Sequence, residues 1–191
     1  MTGRLPLRPE DVVEGDRIRL RPVRLADATE RYVGWLNDPE VNRYLESRFE
    51  TATVESVREF VAKMAADPNH ALFAIERRDD SMHVGNIKLG PVNWRHRFGE
   101  IGLIIGDREC WGRGVATEAI TLITAFAFER LHLHRVSAGC YEPNAASARA
   151  FERAGFSREG VRRSCFLCDG AYVDAIMLGR VNTHDGPAGD T

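Results

Sequence analysis

The stretch Trp111-Gly112-Arg113-Gly114-Val115-Ala116-Thr117-Glu118 decides the fold, because two glycines separate an apolar segment from the start of a long helical pattern. Glycine lets the backbone turn tightly and lets a ligand approach without a Cβ in the way. The first N–H groups of a helix have no partner within the helix, and the helix dipole adds partial positive charge there. The stretch therefore indicates an anion site that suits a pyrophosphate.

Three interpretations of this stretch are compatible with the residues alone. The glycines shape a turn and nothing more, since an isolated Gly-x-Gly is a weak signal. A dinucleotide-binding fold uses the same physics, with Glu142 as its ribose-binding acid. That fold places its glycines after the first strand and continues with several further βα units, whereas these glycines lie past the middle of the chain. The third interpretation is a coenzyme A site.

Outward from this stretch, hydrophobic periodicity predicts one mixed α+β domain with a central sheet of about seven strands and flanking helices. The predicted strands are 17–23, 71–75, 83–92, 98–105, 135–141, 161–168 and 171–178. The predicted helices are 27–36 capped by Asp27, 54–66 capped by Thr53, 112–131, and 144–154 closed by Gly155. Segments 98–105, 112–131 and 135–141 have the lengths of a βαβ unit, which implies two parallel strands.

Composition narrows the class of protein. The chain has 191 residues, 43% hydrophobic and 28% charged, with a net charge of −2, so we expect a folded domain and no nucleic-acid partner. No apolar run is long enough to span a membrane, and the N-terminus lacks the apolar core of an export signal. Four cysteines are too few for a secreted disulfide framework. These observations predict a soluble, cytoplasmic protein without a membrane partner.

A second motif lies about 30 residues beyond the first. It runs Asn144-Ala145-Ala146-Ser147-Ala148-Arg149-Ala150-Phe151-Glu152-Arg153-Ala154-Gly155-Phe156. Together the two motifs resemble the GNAT superfamily of N-acetyltransferases, whose acetyl-CoA loop has the pattern Gln/Arg-x-x-Gly-x-Gly/Ala. Trp111 stands where Gln or Arg is usual. Trp-Gly-x-Gly and an Asn-x-x-Ser…Gly-Phe helix are common in the branch that acetylates ribosomal-protein N-termini (RimJ/RimL-like). The resemblance runs from about residue 17 to 178, within a single N-acetyltransferase domain of core 17–180, N-terminal arm 1–16 and loose C-terminal tail 181–191.

This resemblance implies how acetyl-CoA would be held. Strands 98–105 and 135–141 should be parallel but splayed at their C-terminal ends, with pantetheine lying in the gap. The implied donor-binding residues are Ile104, Ile105, Gly106, Trp111, Gly112, Arg113, Gly114, Val115, Ala116, Thr117, Asn144 and Arg153. Within this set, the pyrophosphate should lie on the N–H groups of 112–117. Asn144 is expected to bond the pantetheine arm, and Arg153 to approach the adenosine phosphates.

Acetyl transfer to an amine needs a base, because a primary amine with a pKa near ~10 is mostly protonated at neutral pH. Glu100 is the candidate base, with Glu142 and Glu46 as alternatives and a paired structural glutamate as the competing interpretation.

Ser147 is the candidate proton donor to the departing thiolate, carried over from the Asn-x-x-Ser position. A serine in the first turn of a helix also commonly bonds backbone N–H groups. Tyr141 is the substitute donor.

The cysteines carry no predicted chemistry. No histidine is placed to activate Cys110 or Cys140, so direct attack by the amine in a ternary complex is expected rather than covalent catalysis. Cys165 and Cys168 lie three apart in a predicted strand and therefore face opposite sides. We expect no metal site.

Acceptor selectivity should reside in segment 35–49, because in this superfamily the connection between the first two helices covers the acceptor. Its candidate substrate-binding residues are Asn37, Tyr44, Glu46 and Arg48. The run Trp-Leu-Asn-Asp-Pro-Glu-Val resembles relatives from polysaccharide and amino-sugar pathways, in which Arg43 and Arg48 would meet nucleotide-sugar phosphates and Glu46 an ammonium. A small-molecule amine such as an amino-sugar is therefore the expected acceptor.

Other functions stay open on the residues alone. The rival acceptor is a peptide N-terminus. A non-catalytic acyl-CoA-binding protein and a dinucleotide oxidoreductase are the alternatives of other classes. An exposed edge on the final hairpin is consistent with a homodimer.

Overall fold

The computed structural model describes residues 5–183. Its strands are Val13–Glu14 (β1), Ile18–Pro22 (β2), Ala71–Arg77 (β3), His83–Leu89 (β4), Phe98–Ile105 (β5), Arg135–Tyr141 (β6), Ser157–Cys168 (β7) and Ala171–Val181 (β8). Its α-helices are Glu30–Asn37 (α1), Pro39–Asn42 (α2), Val54–Ala66 (α3), Val115–Ala125 (α4) and Ala145–Arg153 (α5). Short 3-10 turns cover Leu25–Asp27, Glu46–Phe49 and Arg108–Cys110.

The strands form one mixed sheet in the order β1-β2-β3-β4-β5-β6-β8-β7. Neighbours are antiparallel except β5 and β6, which are parallel, as the βαβ lengths predict. The expected α+β architecture is confirmed, with eight strands in place of about seven.

Helices cover both faces of the sheet. On β3, Phe73 and Ile75 join a core with α4 and α5, whereas Leu72 and Ala74 join a second core with α1 and α3. Since alternate residues of a strand point to opposite faces, the two cores lie on opposite sides of the sheet.

Local predictions were wrong at the first helix and at the last hairpin. Helix α1 is capped by Thr29, whose hydroxyl accepts from the Tyr32 N–H, and not by Asp27. The Asp27 carboxylate is instead committed to the Arg21 guanidinium and to the Arg24 N–H, which closes a 3-10 turn before the helix. Strand β7 begins at Ser157, four residues earlier than predicted, because β7 continues through two irregular pairings with β8.

Helix α4 begins at Val115 and not at Gly112. Gly114 is its N-cap, in the left-handed region at φ 84°, a conformation that favours glycine. At its other end the helix continues as a π-helical turn over Phe126–Arg130, which accounts for the predicted length to 131. The glycine loop therefore lies in front of the helix, and the Gly114 carbonyl accepts the first helical hydrogen bond, from the Glu118 N–H.

The structure describes part of the predicted N-terminal arm and part of the predicted C-terminal tail. The arm contains β1, and Leu5 is buried. Val181 closes β8, and residues 184–191 of the predicted tail lie outside the described residues. Within 5–183, no helix has the length and hydropathy needed to cross a membrane.

Candidate active site

Strands β5 and β6 separate after a short parallel contact. Their register pairs Phe98 to Glu100 with Arg135 to Ser137, and no further pair joins them within residues 5–183. The rest of β5 keeps its pairing with β4 on the other side, from Ile101 to Ile105. The edge of β5 that faces β6 is therefore left without a strand partner over the residues that include Ile104 and Ile105. This is the splay that the resemblance implies.

The glycine loop lies beside the end of β5. Gly112 and Gly114 both have positive φ, at 71° and 84°, and a Cβ built on Gly112 would meet nothing within 4 Å. The indole N–H of Trp111 donates to the Ile105 carbonyl over 2.8 Å, which ties the loop to the strand. Arg113 precedes the cap, and Val115, Ala116 and Thr117 form the first turn of α4, where amide groups lack helical partners. The open space and the unpaired amides suit a diphosphate.

Asn144 and Ser147 stand at the start of α5. The Asn144 Oδ1 accepts from the Ser147 N–H at 3.2 Å, so Asn144 is the N-cap. The Ser147 Oγ lies 3.3 Å from the Cys140 Sγ, a contact in which either atom is able to donate. Burial raises the pKa of the Cys140 thiol, and burial likewise raises that of Cys110. Protonated thiols are poor nucleophiles, which agrees with direct attack by the amine.

Arg153 and Gly106 lie at the edges of the predicted donor site. Arg153 is the last residue of α5, about 14 Å along the helix from its N-terminal cap. Gly106 follows β5 and donates its N–H to the Val84 carbonyl at 2.9 Å. A Cβ on Gly106 would lie only 2.0 Å from the buried Trp35 ring, so glycine is required there by packing.

Glu100 faces the side of the sheet opposite α4. Its Oε1 lies 3.8 Å from an ideal Cβ on Gly139 of β6, and two residues further along that strand Tyr141 points to the same face. Glu100 is exposed, and within residues 5–183 its carboxylate has no ion pair or hydrogen bond. The competing interpretation, a glutamate held in a structural pair, therefore finds no partner in the described part of the chain.

Three predicted residues from distant parts of the sequence meet on this face. The Tyr141 hydroxyl donates to the Glu46 carboxylate and accepts from Nη1 of Arg48 at 2.8 Å. The Tyr141 ring stacks on Phe166, with centroids 4.1 Å apart and planes 13° apart. Burial and the Glu46 carboxylate raise the pKa of Tyr141, so the phenol is protonated near neutral pH. The segment Glu46–Phe49 is thereby fastened over the end of β6.

Arg43 and Arg48, the arginines of segment 35–49, both have partners within the protein. Besides Tyr141, the Arg48 guanidinium donates to the carbonyls of Leu45 and Leu167. Arg43 pairs with Asp169 in the turn between β7 and β8 at 2.5 Å. The structure therefore gives no support to the expectation that Arg43 and Arg48 meet substrate phosphates.

The other two predicted acceptor residues also make contacts within the protein. Asn37 exchanges two hydrogen bonds of 2.9 Å with the backbone of Ala52, which closes the loop between α1 and α3. The Tyr44 ring lies 5.7 Å from the Tyr141 ring, at the border of the same cluster. Asn37 holds the conformation of the segment, whereas Tyr44 contacts the Tyr141 ring.

Sequence reasoning missed the contact between the glycine loop and the start of β2. Glu118, the last residue of the first motif, accepts from the N–H groups of Arg17 and Ile18, at 2.9 and 3.3 Å. A Cβ on Gly114 would lie 3.2 Å from the Arg17 Nη1. No local pattern indicates this contact, because its partners are about 100 residues apart.

Within the described range 5–183, no group of three or more His, Cys, Asp or Glu side chains is placed to hold a metal ion. Cys165 is exposed and Cys168 is buried, as expected for residues three apart in a strand.

Comparison with known proteins decides the family. A family model described as an acetyltransferase (GNAT) domain matches residues 17–157. The chain belongs to the GNAT acetyltransferases. It is thus an acyltransferase, and its mixed sheet with the parallel pair β5 and β6 is that of a GNAT domain.

Relatives of this GNAT domain are diverse. An uncharacterized N-acetyltransferase, YoaA of Bacillus subtilis (strain 168), is 32% identical over 176 residues, covering 91% of this chain and 98% of that protein. Spermidine N(1)-acetyltransferase of Escherichia coli (strain K12) is 30% identical over 162 residues, covering 84% of each chain. Mycobacterium smegmatis RimJ in complex with CoA-disulfide has the same fold, with a TM-score of 0.77 and 24% identity, over 90% of this chain and 87% of that one.

Proposed function

We propose that the protein transfers the acetyl group of acetyl-CoA to a small-molecule primary amine, such as an amino-sugar, by direct attack in a ternary complex. The separation of β5 and β6 beside the Gly114 loop carries this proposal. It provides unpaired strand edge for pantetheine and unpaired helix amides for the diphosphate. In this arrangement Asn144 and Ser147 lie at the thiol end, and Arg153 reaches the adenosine only if that group extends along α5.

The acceptor is proposed to lie on the opposite face, between Glu100 and the Glu46–Tyr141 pair. Glu100, directly or through one water, takes a proton from the ammonium. The amine nitrogen then forms a bond to the acetyl carbon and the carbon–sulfur bond breaks, with Ser147 giving a proton to the thiolate. The nitrogen loses its second proton as the amide forms; through water, that proton restores the Ser147 hydroxyl, and Glu100 releases its own proton to solvent. Because the carboxylate is exposed in the protein alone, bound substrates must cover it for burial to strengthen it as a base.

We propose that the acceptor is recognised through its amino group and not through phosphates, because Arg43 and Arg48 are engaged within the protein. Glu46 and Glu100 place two carboxylates on this face, which suits cationic amines. A polyamine is the second candidate acceptor, since a 30% identical relative is a spermidine acetyltransferase and these carboxylates match a multiply charged amine. The RimJ/RimL-like assignment predicts a peptide N-terminus instead.

An amine panel tests the proposal. Purified protein is mixed with acetyl-CoA and an amino-sugar, a nucleotide amino-sugar, spermidine or a short peptide, and thiol release is followed alongside mass spectrometry of the product. We expect CoA release matched one to one by an acetylated small amine. Calorimetric binding of CoA without turnover of any amine would indicate a non-catalytic CoA-binding protein. Absence of CoA binding by folded protein would refute the proposal altogether.

Two substitutions distinguish the candidates for proton donor. We expect Ser147→Ala to lower kcat by about tenfold or less, because a thiol with a pKa near ~8.5 is already a good leaving group. Tyr141→Phe should keep kcat within about twofold but raise the acceptor KM several-fold, because it releases Glu46 and Arg48 while the stack on Phe166 remains. Steady-state kinetics with both substrates measure this. A large loss of kcat in Tyr141→Phe, with unchanged KM, would make the phenol the donor.

A further inference from the structure

Arg17, the residue before β2, lies against the glycine loop. Arg17 Nη1 lies 3.2 Å from the position that a Cβ on Gly114 would occupy. Among residues 5–183, the Arg17 guanidinium has no ion pair and no hydrogen bond. An arginine that approaches a helix N-cap without a carboxylate partner brings positive charge to a place where the helix dipole already favours anions.

Glu118 fixes the backbone from which this arginine extends. Its Oε1 accepts from the N–H groups of Arg17 and Ile18, one turn into α4. A Cβ on Gly15 would lie 2.5 Å from that same oxygen, so the turn before β2 packs directly on the carboxylate. The Arg17 main chain is thus attached to the helix whose first amides form the candidate diphosphate site.

Arg17 also lines a cavity of about 620 Å³ between the β1–β2 turn, the β3–β4 turn and the glycine loop. Three more arginines line it, together with Asp16, Asp79 and Glu109. Arg77 is paired with Asp79 and Asp80, and Arg78 donates to the Gly15 carbonyl and pairs with Glu14. Within the described residues, Arg17 and Arg113 are the cavity's guanidinium groups without such partners.

We propose that Arg17, held in place by Glu118, binds the pyrophosphate of CoA across the Gly114 loop. This inference rests on the proposed function, because it needs CoA as the ligand, and it adds a residue from outside both sequence motifs. Guanidinium groups bind phosphate oxygens through paired, charge-assisted hydrogen bonds, so Arg17 would supplement the backbone amides of the loop.

The test compares Arg17→Gln and Arg17→Lys with the unchanged protein, using CoA, dephospho-CoA and pantetheine as probes. In calorimetry, we expect Arg17→Gln to raise the Kd for both CoA and dephospho-CoA about tenfold. Arg17→Lys should recover part of the lost affinity. Pantetheine, which lacks phosphate, should raise the melting temperature of both variants as much as that of the unchanged protein. Arg95→Gln, an exposed arginine in the turn between β4 and β5, is the matched control and should bind CoA normally.

Each other outcome overturns the inference. Equal CoA binding by Arg17→Gln and the unchanged protein removes the proposed contact. A loss that disappears with dephospho-CoA assigns Arg17 to the 3′-phosphate, and a loss that extends to pantetheine shows a structural effect. If the unchanged protein itself does not bind CoA, the proposed function fails first, a result that is distinct from a failure of the Arg17 contact alone.

Discussion

Glu100→Gln should lower kcat/KM at neutral pH by about a hundredfold to ten-thousandfold, the range for loss of a general base. The amide keeps the size of the side chain, which is exposed and makes no hydrogen bond or ion pair within residues 5–183, so folding and CoA binding should not change. Timed assays of the acetylated amine measure kcat/KM, and calorimetry on the same protein measures the affinity for CoA.

The pH dependence of this variant gives a second readout. Below the pKa of the amine, near ~10, the unprotonated fraction rises about tenfold with each pH unit. The rate of Glu100→Gln should therefore rise with pH over this range, and the deficit against the unchanged protein should shrink. Glu59→Gln, at an exposed glutamate of helix α3, is the matched control and should keep full activity. If Glu100→Gln stays within about threefold of the unchanged protein, the base lies elsewhere.

Gly106→Ala should have the largest effect on stability, with a loss of about 3 kcal/mol or more in the free energy of unfolding. The added Cβ would lie 2.0 Å from the Trp35 ring. That ring is 7% exposed and is packed between Tyr32 and His83, with centroids 5.7 and 5.0 Å away, so it has little room to move. In a chain of this length, such a loss corresponds to a melting temperature lower by about 6–12 °C.

Gly102→Ala is the matched control for Gly106→Ala. Gly102 lies in the same strand, β5, and a Cβ there would meet nothing within 4 Å. We expect it to change the melting temperature by no more than about 2 °C. Equal melting temperatures for the two variants would show that Trp35 shifts freely and that the contact does not restrict Gly106.

Much of the fold is predictable from short-range patterns. Thr53 and the residues that follow it predict helix 54–66 with correct ends, because capping and helical periodicity are local properties. The bounds of β5 and β6 and their parallel relation also follow from strand and helix lengths. The cap at Asp27 is predicted wrongly because Arg21, six residues earlier, competes for its carboxylate.

The site is less predictable than the fold for the same physical reason. Glycine spacing identifies the candidate donor loop, but the partners of the neighbouring residues come from elsewhere in the chain. The Glu118 carboxylate accepts a hydrogen bond from the Arg17 N–H, 101 residues away in the sequence. The Tyr141 hydroxyl donates one to the Glu46 carboxylate, 95 residues away. Nothing in the local sequence distinguishes an arginine that will meet a ligand from one, such as Arg48, whose charge is used inside the protein.

The two sides of the sheet have unequal freedom to change in evolution. The proposed binding of acetyl-CoA depends largely on main-chain amides of the loop before α4, and most side-chain replacements leave these amides intact. On the other side, the contacts around Tyr141 are made by individual side chains and by one short crossing segment. With the proposed acceptor site on that side, a few substitutions there would exchange one amine for another, while the use of the same thioester would persist.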